Sequence, residues 1–182
     1  MITKMTEIQL KDKKFELFIP EKVIKKEIRR VAKDIARDMK DKNPFFICVL
    51  NGAFIFASDL IKGMEISCDV GFIRLRSYEG TQSSGLIKEV QGFVENIENR
   101  HVVIVEDIID TGHTISYLLN KLQAENPASV KIVCMLFKPK SLETDTKPDY
   151  CALEIPNDFI VGYGLDYDGL GRNLKNIYKI KS

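Results

Sequence analysis

The stretch that most constrains this chain runs from Val102 to Thr114 and reads V-V-I-V-E-D-I-I-D-T-G-H-T. Val102 to Val105 are apolar and mostly β-branched, a run that suits a strand buried on both faces of a parallel sheet. The carboxylates Glu106, Asp107 and Asp110 follow, then the small polar loop Thr111-Gly112-His113-Thr114. Beyond the loop, Ile115, Leu118, Leu119 and Leu122 take up helical spacing. The order strand, acidic loop, helix predicts an open α/β sheet, in which ligands bind beyond the carboxyl ends of the strands. A helix starting there aims free N–H groups and a positive dipole end at the ligand, which suits phosphate. Gly112 lets the backbone come close. Yet the three carboxylates would repel a bare phosphate. They are expected to hold something else: sugar hydroxyls, a divalent cation, or a proton to be moved. A phosphorylated sugar with Mg²⁺ satisfies all of these.

The rest of the chain supports the same class. Glu21 to Lys40 predicts an amphipathic helix, with Ile24, Ile28, Val31, Ile35 and Met39 on one face. Phe45 to Leu50 reads as a buried strand, Asn51-Gly52-Ala53 as a tight loop, and Phe54 to Lys62 as a helix stopped by Gly63. This second strand–glycine loop–helix unit should open on the same sheet edge as Asp110. Val70 to Leu75 and Val130 to Phe137 are further strands, and Cys151 to Ile155 is short and β-like. Residues 1–20 give a short strand or arm ending in Phe15 to Ile19. Ser77 to Gly92, rich in Ser, Gly, Thr and Gln, predicts a mobile loop or ribbon.

At 182 residues, the chain is expected to form one domain with a full core. A net charge of +1 gives no ground for a nucleic-acid partner. No apolar run of membrane-spanning length and no signal-peptide pattern occurs, so neither a membrane span nor secretion is expected. Cys48, Cys68, Cys134 and Cys151 are widely spaced, with no C-x-x-C, and are read as reduced, mostly buried thiols of a cytoplasmic protein. A Walker-type ATPase is excluded, since its glycine-rich lysine loop is absent.

The Val102–Thr114 stretch resembles the phosphoribosyl-pyrophosphate signature of type I phosphoribosyltransferases, and most of all that of the hypoxanthine-guanine enzymes, which carry Glu-Asp-Ile-Ile-Asp-Thr-Gly. A second segment, Phe159-Ile160-Val161-Gly162-Tyr163-Gly164-Leu165-Asp166-Tyr167, is similar to the family's hood sequence Phe-Val-Val-Gly-Tyr-x-Leu-Asp-Tyr. The resemblance covers roughly Pro44 to Arg172. It implies an α/β fold of the type I phosphoribosyltransferase kind: a central, mainly parallel sheet flanked by helices, with a small C-terminal hood. The core would be about 21–137, and the hood about 138–182 together with the N-terminal arm.

The resemblance also implies roles. Thr111, Gly112, His113 and Thr114 would hold the 5-phosphate of phosphoribosyl pyrophosphate through their backbone. Glu106 and Asp107 would grip the ribose hydroxyls and a Mg²⁺ shell, which Asp166 would help to hold. Asn51, Gly52 and Arg172 would bind pyrophosphate. The peptide before Asn51 is cis in some relatives. Ser77 and Tyr78 would open an active-site lid that excludes water. Lys138 would donate to the 6-oxo group of a purine, Phe159 would stack on it, and the backbone of Ile160 would read its edge. Asp110 would be the catalytic base. The implied function is purine salvage, transferring the phosphoribosyl group to hypoxanthine or guanine in a homodimer or homotetramer. The alternative is a non-catalytic regulator on the same fold that senses phosphoribosyl pyrophosphate or nucleotides. Two departures stand out: Gly171, where relatives often have an aromatic residue, and His113, where others have Lys or Asn.

Overall fold

The computed structural model describes residues 6–77, 87–92 and 95–181. Strand β1 (Glu7–Leu10) and strand β2 (Lys13–Ile19) form a hairpin, followed by helix α1 (Glu21–Asp38). Then come β3 (Phe45–Leu50), α2 (Phe54–Lys62), β4 (Asp69–Ser77) and β5 (Ile87–Gln91). The central stretch gives β6 (His101–Ile109) and α3 (His113–Gln123), and β7 (Ser129–Phe137), β8 (Tyr150–Glu154), β9 (Ile160–Val161) and β10 (Ile177–Ile180) complete the chain.

The main sheet has the order β5-β4-β3-β6-β7-β8. β4, β3, β6, β7 and β8 run parallel, and β5 pairs antiparallel on the edge. Such parallel strands need both faces covered. Alternate residues therefore go to opposite sides. Phe46, Cys48, Val103 and Val105 pack with α1 and α2, whereas Phe45, Ile47, Val102 and Ile104 pack with α3. α1 presents Ile24, Ile28, Val31 and Ile35 to the first of these cores, as its spacing predicts. Among the described residues, no helix is long and apolar enough to cross a membrane.

A second, antiparallel sheet has the order β1-β2-β10-β9. It joins the first residues of the chain to the last, with Ile8, Phe15, Val161 and Tyr178 at its centre. The sequence shows β2 through its apolar run, but β10 is too short and mixed to stand out. It forms because β2 and β9 offer it backbone partners on both sides.

The structure corrects one boundary with consequences for the site. Glu106 and Asp107 do not lie in a loop. β6 continues through them to Ile109, because β7 supplies a ladder to its end, pairing Glu106 with Cys134, Ile108 with Leu136 and Ile109 with Phe137. The acids are thus held on a strand. The ribbon expected between Ser77 and Gly92 is in part β5; Tyr78 and the rest of that stretch up to residue 86 lie outside the described residues.

Leu118 on α3 is fully buried, while neighbouring Tyr117 is 37% exposed. Leu118→Ala should lower unfolding free energy by about 2–5 kcal/mol in urea titration. Tyr117→Ala should stay within about 0.5 kcal/mol of the parent.

Candidate active site

Buried charge locates the site. Among the described residues, three charged side chains are buried, Glu106 (7% exposed), Asp107 (8%) and Lys138 (7%), and all three lie at the carboxyl ends of β6 and β7. Charged groups are placed in a protein interior only where something holds them, and such groups gather at functional sites. Glu106 is pushed well above the ordinary carboxylate range, first by burial and then by the charge of Asp107. Burial also raises Asp107, opposed by hydrogen bonding from Glu106, by the Ile108 amide and by the Arg172 charge. Glu106 Oε2 is buried with no hydrogen-bond partner, an acceptor free for a ligand hydroxyl or a metal-bound water.

Beside the acids a cavity of about 260 Å³ is walled by residues 106–112 with Thr114 and Ile115. Its floor is the turn into α3. Gly112 has φ 88°, the left-handed region that favours glycine. A Cβ there would also press on Thr144 Oγ1 and Leu142. No side chain caps α3, so its first N–H groups face the cavity without an intrahelical partner. The feature is an anion cradle. His113 turns away from it, its Nε2 lying 2.8 Å from Glu143 Oε2, and the Glu143 N–H donates to Thr111 O at 2.9 Å. The 141–146 segment thereby buttresses the cradle, a role that sequence reasoning missed and that no local pattern announces.

Asp110 stands at the cavity rim, 44% exposed, and Lys138 Nζ donates to its Oδ2 at 2.7 Å. Lys138 reaches it because the Lys138 N–H extends the ladder, donating to Ile109 O at 2.9 Å.

The loop after β3 closes the site from the other side. The Leu50–Asn51 peptide is cis. Gly52 lies so close to Asp107 that a Cβ would overlap the carboxylate, and Gly164 in turn is seated on the Gly52 carbonyl. Arg172 Nη1 donates to Gly164 O at 2.7 Å, and its Nη2 is 2.5 Å from Asp166 Oδ1. Asp166 Oδ2 accepts from the Gly169 N–H at 2.7 Å. Asn51, Gly52, Asp107, Asp166 and Arg172 are therefore brought together by direct contacts. Phe159, 47% exposed, is on the second sheet with Phe15 and Tyr167 against it, the Tyr167 ring edge-on at 5.9 Å. Ile160 follows in β9, in register with Lys179. Ser77 ends β4 at the same sheet edge as Asn51. The support that Phe15 gives Phe159 spans the length of the chain and has no signal in the local sequence.

The residues available to a metal ion are Glu106, Asp107 and Asp166. Among the described residues, no cluster of three ligating side chains could hold one unaided. That donor set fits Mg²⁺, which takes one or two carboxylates and completes its shell with phosphate oxygens and water.

A family model described as the phosphoribosyl transferase domain matches residues 20–168. The hypoxanthine-guanine-xanthine phosphoribosyltransferase of Tritrichomonas foetus is 39% identical over 178 residues, 97% of each chain. The Bacillus subtilis hypoxanthine-guanine phosphoribosyltransferase is 37% identical, over 91% of this chain and 93% of its own. Among solved structures, a hypoxanthine-guanine phosphoribosyltransferase from Bacillus anthracis superposes with a TM-score of 0.87 at 33% identity, covering 91% of this chain and 98% of that one. The hypoxanthine phosphoribosyltransferase of Trypanosoma cruzi in a ternary substrates complex gives 0.85 at 38% identity, covering 91% and 94%. With its acids, cradle and hood in one place and these matches spanning nearly all of its length, the chain belongs to the phosphoribosyltransferase family, in its hypoxanthine-guanine branch.

Proposed function

We propose that the cavity beyond β6 binds phosphoribosyl pyrophosphate, and that Asp110, Lys138 and the hood hold a 6-oxopurine against it. The enzyme serves purine salvage. The reaction yields IMP from hypoxanthine or GMP from guanine, with pyrophosphate as the second product. The observation that carries this reading is the buried triad of Glu106, Asp107 and Lys138 around an uncapped helix N-terminus.

The backbone N–H groups of Thr111 to Thr114 hold the 5-phosphate. Glu106 and Asp107 accept from the ribose 2- and 3-hydroxyls, which suits the unpartnered Glu106 Oε2. Purine N9 attacks C1 of the ribose, and the C1–O bond breaks with its electron pair going to pyrophosphate. Asp110 takes the N7 proton as the base becomes nucleophilic. Lys138 donates to O6 and offsets the negative charge that gathers there. O6 and N7 are neighbours on the purine, as the Lys138 ammonium and Asp110 carboxylate are neighbours here at 2.7 Å. A 6-amino group cannot accept from an ammonium, so the same pair selects against adenine. Arg172 and the Asn51–Gly52 loop bind the leaving pyrophosphate, guanidinium being well matched to phosphate oxygens. Phe159 stacks on the base and the Ile160 backbone reads its edge. Glu106, Asp107 and Asp166 would hold Mg²⁺, which when bound neutralises charge on the pyrophosphate.

We further take residues 1–182 as one phosphoribosyltransferase domain, since the hood seats Gly164 on the Gly52 loop. The four free thiols support a cytoplasmic setting. Self-association as a homodimer or homotetramer is supported by Phe54, Val70 and Phe72, which are large and exposed.

Purified protein with Mg²⁺, phosphoribosyl pyrophosphate and, in turn, hypoxanthine, guanine, xanthine and adenine should form IMP or GMP rapidly and little AMP. Binding of phosphoribosyl pyrophosphate with no product from any base would favour a sensor instead. Asp110→Asn should lower kcat about 10²–10⁴-fold, as for loss of a general base; near-full activity removes the assignment. Lys138→Ala should impair turnover of hypoxanthine, and identical kinetics with that base would contradict its role.

A further inference from the structure

The hood turn Gly162-Tyr163-Gly164 has three successive positive φ values, 105°, 52° and 104°. For the two glycines this conformation is ordinary. For a tyrosine it is uncommon and persists only where the surroundings hold it. Gly162 and Gly164 are also spaces that no side chain can occupy, being seated on the carbonyls of Asn176 and Gly52. Tyr163 between them is 2% exposed and drives its ring into the core shared by α1, α2 and the sheet. There its hydroxyl donates to the Asp59 carboxylate on α2. The Tyr163 N–H donates to Leu174 O at 2.8 Å, and the Gly164 N–H to Arg172 O at 2.9 Å.

The two ends of this bond lead to the same place. On one side, α2 follows directly from the Asn51–Gly52 loop, locked to it by the Ala57 N–H donating to Ala53 O at 2.8 Å. On the other, the next residue after Tyr163 carries the carbonyl that receives Arg172. We propose that the Tyr163–Asp59 bond is a positioning device that sets the separation between the Asn51–Gly52 loop and the Arg172–Asp166 pair. It thereby governs affinity for the pyrophosphate end of the donor substrate and leaves the purine end unaffected. The inference rests on the reading of that end as the pyrophosphate site.

The chemistry suits a fixed strut. Burial and then the Asp59 carboxylate push the phenol well above the usual tyrosine range, so it stays a donor at every working pH. A hydrogen bond to a charged acceptor is among the stronger ones. Lys62 Nζ lies 3.4 Å from Asp59 Oδ1.

The test is steady-state kinetics on three variants, with phosphoribosyl pyrophosphate and hypoxanthine varied separately. Tyr163→Phe keeps the ring and loses the bond. It should raise KM for phosphoribosyl pyrophosphate about tenfold or more, as expected for one charge-assisted hydrogen bond, with KM for hypoxanthine within about twofold. Asp59→Ala should reproduce this shift, and supplies it if Tyr163→Phe fails to fold. Asp59→Asn keeps an acceptor and should restore most of the affinity. An unchanged KM for phosphoribosyl pyrophosphate, or an equal rise for both substrates, overturns the proposal. A parent enzyme that makes no nucleotide overturns the underlying reading instead.

Discussion

Two adjacent carboxylates buried at the end of the central strand are the constraint on which the remainder depends. Charged groups out of water are costly unless neutralised or paired. Glu106 and Asp107 are tolerated because the Ile108 amide donates to Asp107 and Arg172 places its charge nearby. Each of these aids comes from the fold: β7 holds β6 straight through the acids, and the hood brings the guanidinium. A ligand with hydroxyls and a cation to offer completes what the protein leaves half-satisfied.

The second sheet explains how the two ends of the chain serve one site. β9 carries Ile160 directly after Phe159, and β10 joins β9 to β2 of the opening hairpin. Phe15 from that hairpin supports the Phe159 ring. The N-terminal residues therefore support the Phe159 side of the hood.

Much of the fold was legible in the sequence, because its signals are local. The buried runs Phe45–Leu50 and Val130–Phe137 and the amphipathic spacing of α1 were legible, since apolar runs and periodicity are local signals. The end of β6 did not, because side-chain type suggested a loop where ladder pairing with β7 prolongs a strand. Of the site, the acids, Gly112 and Lys138 were visible as a motif or as a resemblance. Tyr163 with Asp59, and Glu143 with Thr111 and His113, were not. These pairs are distant in sequence, and only folding makes them neighbours.

The seating of Gly164 on the Gly52 carbonyl has an evolutionary consequence. Two loops that meet backbone to backbone have no side chains through which one can compensate a change in the other. Divergence at this seam is therefore blocked from both directions, whereas positions such as Phe159, surrounded by adaptable aromatic neighbours, are open to drift.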